Sequence, residues 1–182
     1  MKSHSKTPQH ALRSDLSTIR IFGTADDSIV DGPGIRFSVF AQGCPFSCPG
    51  CHNPLAQPPL GGKLVTVDAL MQKIEANPLL AGITLSGGEP FLQAEPFLEL
   101  ARRAKARGLS VWAYSGYVWE ELMSGVPSEA ARELLREVDV LVDGLYVEAE
   151  ASYQLKWRGS ANQRIIDVPA SLAAHTLTEL EL

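Results

Sequence analysis

The sequence predicts an α/β fold built on a parallel sheet, and three observations lead there. Short apolar runs alternate with helical patterns between about residues 66 and 142, an order that implies right-handed βαβ crossovers. The turn signals Ser86-Gly87-Gly88, Ser115-Gly116 and Asp143-Gly144 fall at the carboxyl ends of the expected strands, where sheets of this kind bind ligands. The chain has 182 residues, 45% hydrophobic and 20% charged, enough for one well-filled core with the composition of a soluble globular protein.

Taken in order, residues 1–16 are polar and lack the apolar stretch of a secretory signal, so they read as a flexible leader ahead of a single domain over 17–182. Asp31-Gly32-Pro33-Gly34 marks a tight turn, and a strand is expected from Ile35 to Ala41. The loop from Gly43 to about Gly62 is rich in Pro and Gly and too long for a plain connector. Thr66 caps a helix whose Val67, Leu70, Met71 and Ile74 share a face, and Asn77-Pro78 stops it. A strand over Gly82–Ser86, a helix over Glu95–Arg107 and a strand over Leu109–Tyr114 follow. Trp119–Met123 and Ser128–Val138 read as helical, Val140–Val142 as a short strand. Two further strands are expected at Leu155–Trp157 and Arg164–Val168, and the segment after about Pro169 is weakly patterned.

Several function classes drop out on composition. No apolar run reaches the roughly 18 residues of a bilayer span, and a net charge of −5 with scattered basic residues gives no footprint for nucleic acid. Neither a membrane nor a nucleic-acid partner is expected.

All three cysteines, Cys44, Cys48 and Cys51, sit in GCPFSCPGCHNP with the spacing C-x3-C-x2-C. An odd, tightly grouped set is a poor disulfide framework and a good metal site in a reducing, cytoplasmic setting. Two chemistries use such a set. A [4Fe–4S] cluster would take three thiolates and leave one iron open to a chelating ligand. A structural zinc or electron-transfer site would need His52 as fourth ligand, although His52 follows Cys51 directly and adjacent side chains rarely meet on one tetrahedral ion.

At this point VDGPGIRFSVFAQGCPFSCPGCHNP resembles the N-terminal signature of the radical S-adenosylmethionine (SAM) activating enzymes of glycyl radical enzymes, and ITLSGGEPFLQ is similar to their second motif. VWAYSGYVWEEL, VDVLVDGLYV and WRGSANQRIID resemble later segments of the subgroup that activates anaerobic ribonucleoside-triphosphate reductases, and CPGC matches that subgroup too. His52-Asn53 resembles the pyruvate formate-lyase activating branch instead. The resemblance implies a partial (β/α)6-type barrel, a [4Fe–4S] cluster on Cys44, Cys48 and Cys51, and bound SAM. It also implies reductive cleavage of SAM to a 5′-deoxyadenosyl radical that installs a glycyl radical on a large partner enzyme such as anaerobic ribonucleotide reductase. A flavodoxin- or ferredoxin-like protein would donate the electron. Radical modification of another peptide or small molecule is the other enzymatic reading.

For SAM, the candidates are Gly87, Gly88, Glu89, Ser115 and Asp143. Glycines at a strand end admit a ligand to the backbone, and Pro90 keeps Glu89 extended. Ser115 offers a hydroxyl at the next strand end, and the resemblance points to Asp143. Asp139 reads as a strand-start residue, Arg36 as a cation that pairs a carboxylate, and Arg158, Asn162 and Gln163 as a polar turn with a possible binding role. His4, His10 and His175 carry no functional expectation.

Overall fold

A computed structural model describes residues 18–181 of the chain; the leader expected over residues 1–16 lies outside the described residues. The chain forms β1 (Thr18–Ser28), β2 (Arg36–Ala41), β3 (Lys63–Thr66), α1 (Val67–Ala76), β4 (Gly82–Gly87), α2 (Ala94–Lys105) and β5 (Ser110–Ser115). It continues with α3 (Trp119–Met123), α4 (Glu129–Glu137), β6 (Val140–Asp143), β7 (Arg164–Asp167) and α5 (Val168–Ala174). One seven-stranded sheet runs in the order β3-β1-β2-β4-β5-β6-β7, with β3 and β7 at its edges.

The fold is mixed α/β, and the parallel sheet expected from the alternation covers only its centre. Strands β2, β4, β5 and β6 are parallel, whereas β1, β3 and β7 pair antiparallel. The link from β1 to β2 is too short for a crossover, so those strands must run in opposite directions. The strand expected at Leu155–Trp157 does not form: these residues lie in a bend, and Trp157 has φ 51°. Strand β3 was not anticipated; only its pairing with β1, Ile19 opposite Val65, makes it a strand. The helices start where the caps predict, with Ala69 N donating to Thr66 Oγ1 at 3.1 Å and Ala131 N to Ser128 Oγ at 3.2 Å. Each such cap contributes about 1 kcal/mol.

Strand order decides where the helices go. Because β2, β4, β5 and β6 are added one after another in a single direction, right-handed crossovers place their helices on the same side of the sheet. That side holds the main core: Phe37, Val39, Ile83, Leu85, Val111, Ala113 and Leu141 from the strands meet Leu70, Phe97, Leu100, Leu122 and Leu134 from the helices. The alternate residues of the same strands face away from the helices. There a smaller cluster of Trp112, Val140, Val142 and Ile165 packs with Tyr114 and Trp157 at one end, and Arg36, Ser38 and Thr84 are buried polar residues at the other. No helix among the described residues is long and apolar enough to cross a membrane.

Candidate active site

The site lies on the helix-free face and at the carboxyl ends of the parallel strands, in a cleft of about 830 Å³. Phe40, Ser86 and Tyr114 form part of its floor, and Cys44, Cys48 and Cys51 line one wall. All three thiols are free and half-buried.

Backbone bonds seat the cysteine loop on its neighbours. Gly43 N donates to Ala56 O and Cys44 N to Gln57 O, at 2.7 and 2.9 Å, so the loop closes back on itself. The buried side chain of Gln42 works as its axle, with Nε2 donating to Leu55 O and Pro58 O. Gln93 holds the root of that axle through bonds from its Nε2 to Arg20 O and Gln42 O. Neither glutamine stood out in the sequence, although Gln42 directly precedes the Gly43-Cys44 pair; only the folded loop shows what its amide reaches.

Three further contacts pin the loop from above. Phe46 lies edge-on to Tyr117 with ring centroids 4.9 Å apart, and a Cβ on Gly116 would come within 2.4 Å of the Phe46 ring. His52 packs on Tyr146 at 4.9 Å between centroids, and Glu148 sits against Gly50, whose φ is +70°. The left-handed φ accounts for glycine there, since a side chain at Gly50 would also have to displace the Glu148 carboxylate 2.8 Å away.

The two metal chemistries left open above ask different things of this loop. Among the described residues no three His, Cys, Asp or Glu side chains are gathered tightly enough to hold one metal ion, and the ring of His52 is engaged with Tyr146. A mononuclear zinc site would need His52 to leave Tyr146 and join the three thiolates at one point. A cube whose irons each take a different thiolate does not require the three sulfurs to converge on one point, and a soft all-thiolate donor set suits an iron–sulfur cluster. Burial pushes the Cys44 thiol up to about 11, reinforced by the Glu89 carboxylate and the other two cysteines against a bond from the Phe46 backbone. Such a thiol is a poor nucleophile, and metal charge would be needed to remove its proton.

The motif Ser86-Gly87-Gly88-Glu89 borders the cleft next to the cysteine loop. Its glycines answer first to packing. Gly87 has φ +97°, and a Cβ on it would lie 2.6 Å from Ala41 N; a Cβ on Gly88 would lie 2.4 Å from Gly43 O. Gly88 N donates to Ala41 O and Glu89 N to Gly43 O, both at 2.8 Å. The backbone that glycine lets come close is therefore the protein's own, at the foot of the cysteine loop.

The remaining sequence candidates divide. Ser115 reaches the cleft wall, but its Oγ donates to Glu89 Oε1 at 3.0 Å and accepts from Tyr117 N. Asp143 is 1% exposed and does not line the cleft; its carboxylate takes Trp119 N at 2.7 Å and Arg164 at 2.9 and 2.5 Å. Arg164 also bonds Glu120, and both acids hold its guanidinium well above its ordinary pKa, Asp143 foremost. Arg158 and Gln163 line the cleft, whereas Asn162 is a clasp, donating to Leu145 O. Gln163 adds to it by accepting from Gly159 N and donating to Gly144 O.

Arg36 departs from expectation, since no carboxylate among the described residues pairs with it. Its donors go to Thr84 Oγ1, Pro33 O, Ile83 O and both oxygens of Ser110, and its guanidinium lies 5.7 Å from the Trp112 ring. Burial lowers its pKa to about 10. Asp31, the nearest acid in sequence, instead accepts from Ser28 and Ser38. Asp139 does open its strand as read, taking Val111 N and pairing Lys105.

Comparison with known proteins agrees with this geometry. Residues 30–166 match the family model described as "4Fe-4S single cluster domain". The anaerobic ribonucleoside-triphosphate reductase-activating protein of Haemophilus influenzae is 34% identical over 147 residues, covering 75% of this chain and 90% of its own. Its counterparts in Vibrio cholerae and Escherichia coli are also 34% identical, each covered over 90% of its length by 75% and 74% of this chain respectively. At 34% identity over three quarters of its length, the chain belongs to the family of anaerobic ribonucleoside-triphosphate reductase-activating proteins.

Proposed function

We propose that this protein is a radical SAM enzyme that installs a glycyl radical on an anaerobic ribonucleotide reductase. The observation that carries the reading is the convergence, on one cleft, of three free thiols, the Ser86-Gly87-Gly88 strand end and the Ser115-Gly116 strand end. Cys44, Cys48 and Cys51 would hold a [4Fe–4S] cluster, and the backbone of Gly87 and Gly88 with Ser115 would line the space for SAM. Glu89 borders that space, and Asp143 acts from outside it by fixing the start of α3 through Trp119 N. When bound, the cluster and SAM supply one-electron reductive cleavage of the sulfonium and, through it, hydrogen abstraction.

The chain's own part is to bind, orient and exclude. The bonds of Gln42 and Glu89 N hold the cysteine loop at a set distance from the strand ends. Tyr117 and Tyr146 cover that loop, packing their rings on its Phe46 and His52, which limits water and oxygen. The mouth fits a macromolecular substrate: Ile29 and Val30 are 72% and 73% exposed, and Leu145 and Tyr153 are also exposed, all four on the cleft wall. Exposed apolar side chains on a cleft wall suit contact with another protein. On this reading β2, β4, β5 and β6 with their one-sided helices form the arc of a partial (β/α)6 barrel, its open side turned to the partner. The protein would work as a single domain over 17–182, in the cytoplasm, with a flavodoxin- or ferredoxin-like electron donor.

The test is anaerobic reconstitution with iron and sulfide, dithionite reduction with SAM, and assay of 5′-deoxyadenosine. The intact chain is expected to form it and Cys48→Ala to fall to background; with the reductase added, a glycyl radical signal should follow. A fully loaded cluster that neither binds nor cleaves SAM would overturn the proposal.

A further inference from the structure

We infer that Glu89 is a positioning residue, which ties the start of the cysteine loop to the end of β5, and that its side chain does not contact the bound ligand. The inference rests on the reading above only for the ligand's identity. Glu89 is 0% exposed although it borders the cleft. Its Oε1 accepts from Phe91 N at 3.1 Å and Ser115 Oγ at 3.0 Å, and its Oε2 from Gly116 N at 2.8 Å. Tyr117 N, donating to Ser115 Oγ at 3.0 Å, leaves that hydroxyl's proton for Glu89. Three donors and no acceptor face the carboxylate in these bonds, a set that the ionised acid, the form present above about pH 7, satisfies and an amide does not. Glutamate is thus explained without any contact to a ligand.

The bonds lead to the cluster ligands by two routes. Glu89 N donates to Gly43 O, one residue before Cys44. The carboxylate fixes Gly116, and Gly116 lies directly under the ring of Phe46, between Cys44 and Cys48 in the chain. Removing the carboxylate's acceptor from Gly116 N would free Phe46 to move and, with it, the spacing of the first two thiols. Energy of this kind, lost from a buried charged bond, changes local opening by roughly tenfold or more.

The experiment uses the full chain without its cluster, then the reconstituted chain. Alkylation of Cys44 by iodoacetamide and amide exchange at Gly116 are followed by mass spectrometry in the intact protein, Glu89→Gln and Ser115→Ala, all below their unfolding temperatures. After reconstitution, the electron paramagnetic resonance spectrum of the reduced cluster is recorded before SAM is added, and SAM affinity is then measured. Glu89→Gln is expected to raise Cys44 alkylation and Gly116 exchange by roughly tenfold, to shift the cluster's g-values in the absence of SAM, and Ser115→Ala to do the same more weakly. Unchanged alkylation, exchange and g-values in both variants, with SAM affinity reduced tenfold in Glu89→Gln, would overturn the inference and make Glu89 a ligand contact. Failure of the intact chain to bind SAM at all would remove the functional reading and leave the alkylation and exchange results standing.

Discussion

On the helix-covered face of the sheet, Phe37, Val39, Ile83, Leu85, Val111 and Leu141 are almost wholly buried and apolar. One step along the same strands, Arg36, Ser38, Thr84, Ser86 and Tyr114 are polar or carry a polar tip, and they are either locked in hydrogen bonds or open to the cleft. A period of two delivers both sets from identical backbone. The difference lies in what each face meets: five helices supply apolar stripes to one, while the other is covered by loops that bring carbonyls, hydroxyls and thiols. A face packed by side chains alone gains from area, and a face that must hold a cofactor gains from directed bonds.

If that contrast is right, truncation should cost most on the helix-covered face. Phe97→Ala removes a ring with no exposed surface and is expected to lower unfolding free energy by about 3–5 kcal/mol in urea titration. On the other face Arg36→Met keeps length and loses every directed bond, leaving Ser110 O and Ile83 O short of a donor. A loss of about 2–3 kcal/mol is expected, and a loss near zero would show that the cation's bonds merely repay its burial.

A third measurement sharpens the comparison by pH. Burial pushes the Glu89 carboxyl up to about 7 from 4.5, against the pull of Gly116 N, Phe91 N and Ser115 Oγ. The folded state therefore holds this proton at pH values where the unfolded chain has released it, so the contribution is complete below about 4.5 and is lost as pH rises through about 7. The cluster-free protein should lose about 1.5 kcal/mol of stability between pH 6 and 8 from this group, and Glu89→Gln should lack that component. The smallest effect belongs to Tyr114→Phe, which removes the 2.9 Å bond to Trp157 O that closes the far wall of the cleft. It should cost about 0.5–1 kcal/mol and be visible as faster amide exchange around residues 157–159.

Much of the site was legible because its spacing is local. The three cysteines lie within one loop and the Gly-Gly-Glu run at one strand end, so neither needs knowledge of distant contacts. The caps Thr66 and Ser128 and the stop at Asn77-Pro78 were readable for the same reason. The partners of Asp143 and Arg36 were not legible because both are charged, and a charge goes to whichever partner the fold presents. Arg164, on a strand paired antiparallel to β6, takes Asp143, and the carbonyls of β4 and β5 take Arg36. Leu155–Trp157 had the residues of a strand, but no strand among the described residues pairs with them.

The sequence by itself determined the alternation of strands and helices, the thiol set and the family that carries it, since each is written in residues close together in the chain. The tertiary structure alone decided that the helices share one side, that β3 becomes a strand, that Gln42 threads the cysteine loop, and that Glu89 turns inward to Ser115 and Gly116. The physical reason is that a hydrogen bond or a β-ladder needs both partners in place. For these features the partners stand far apart along the chain and meet only when the sheet is assembled.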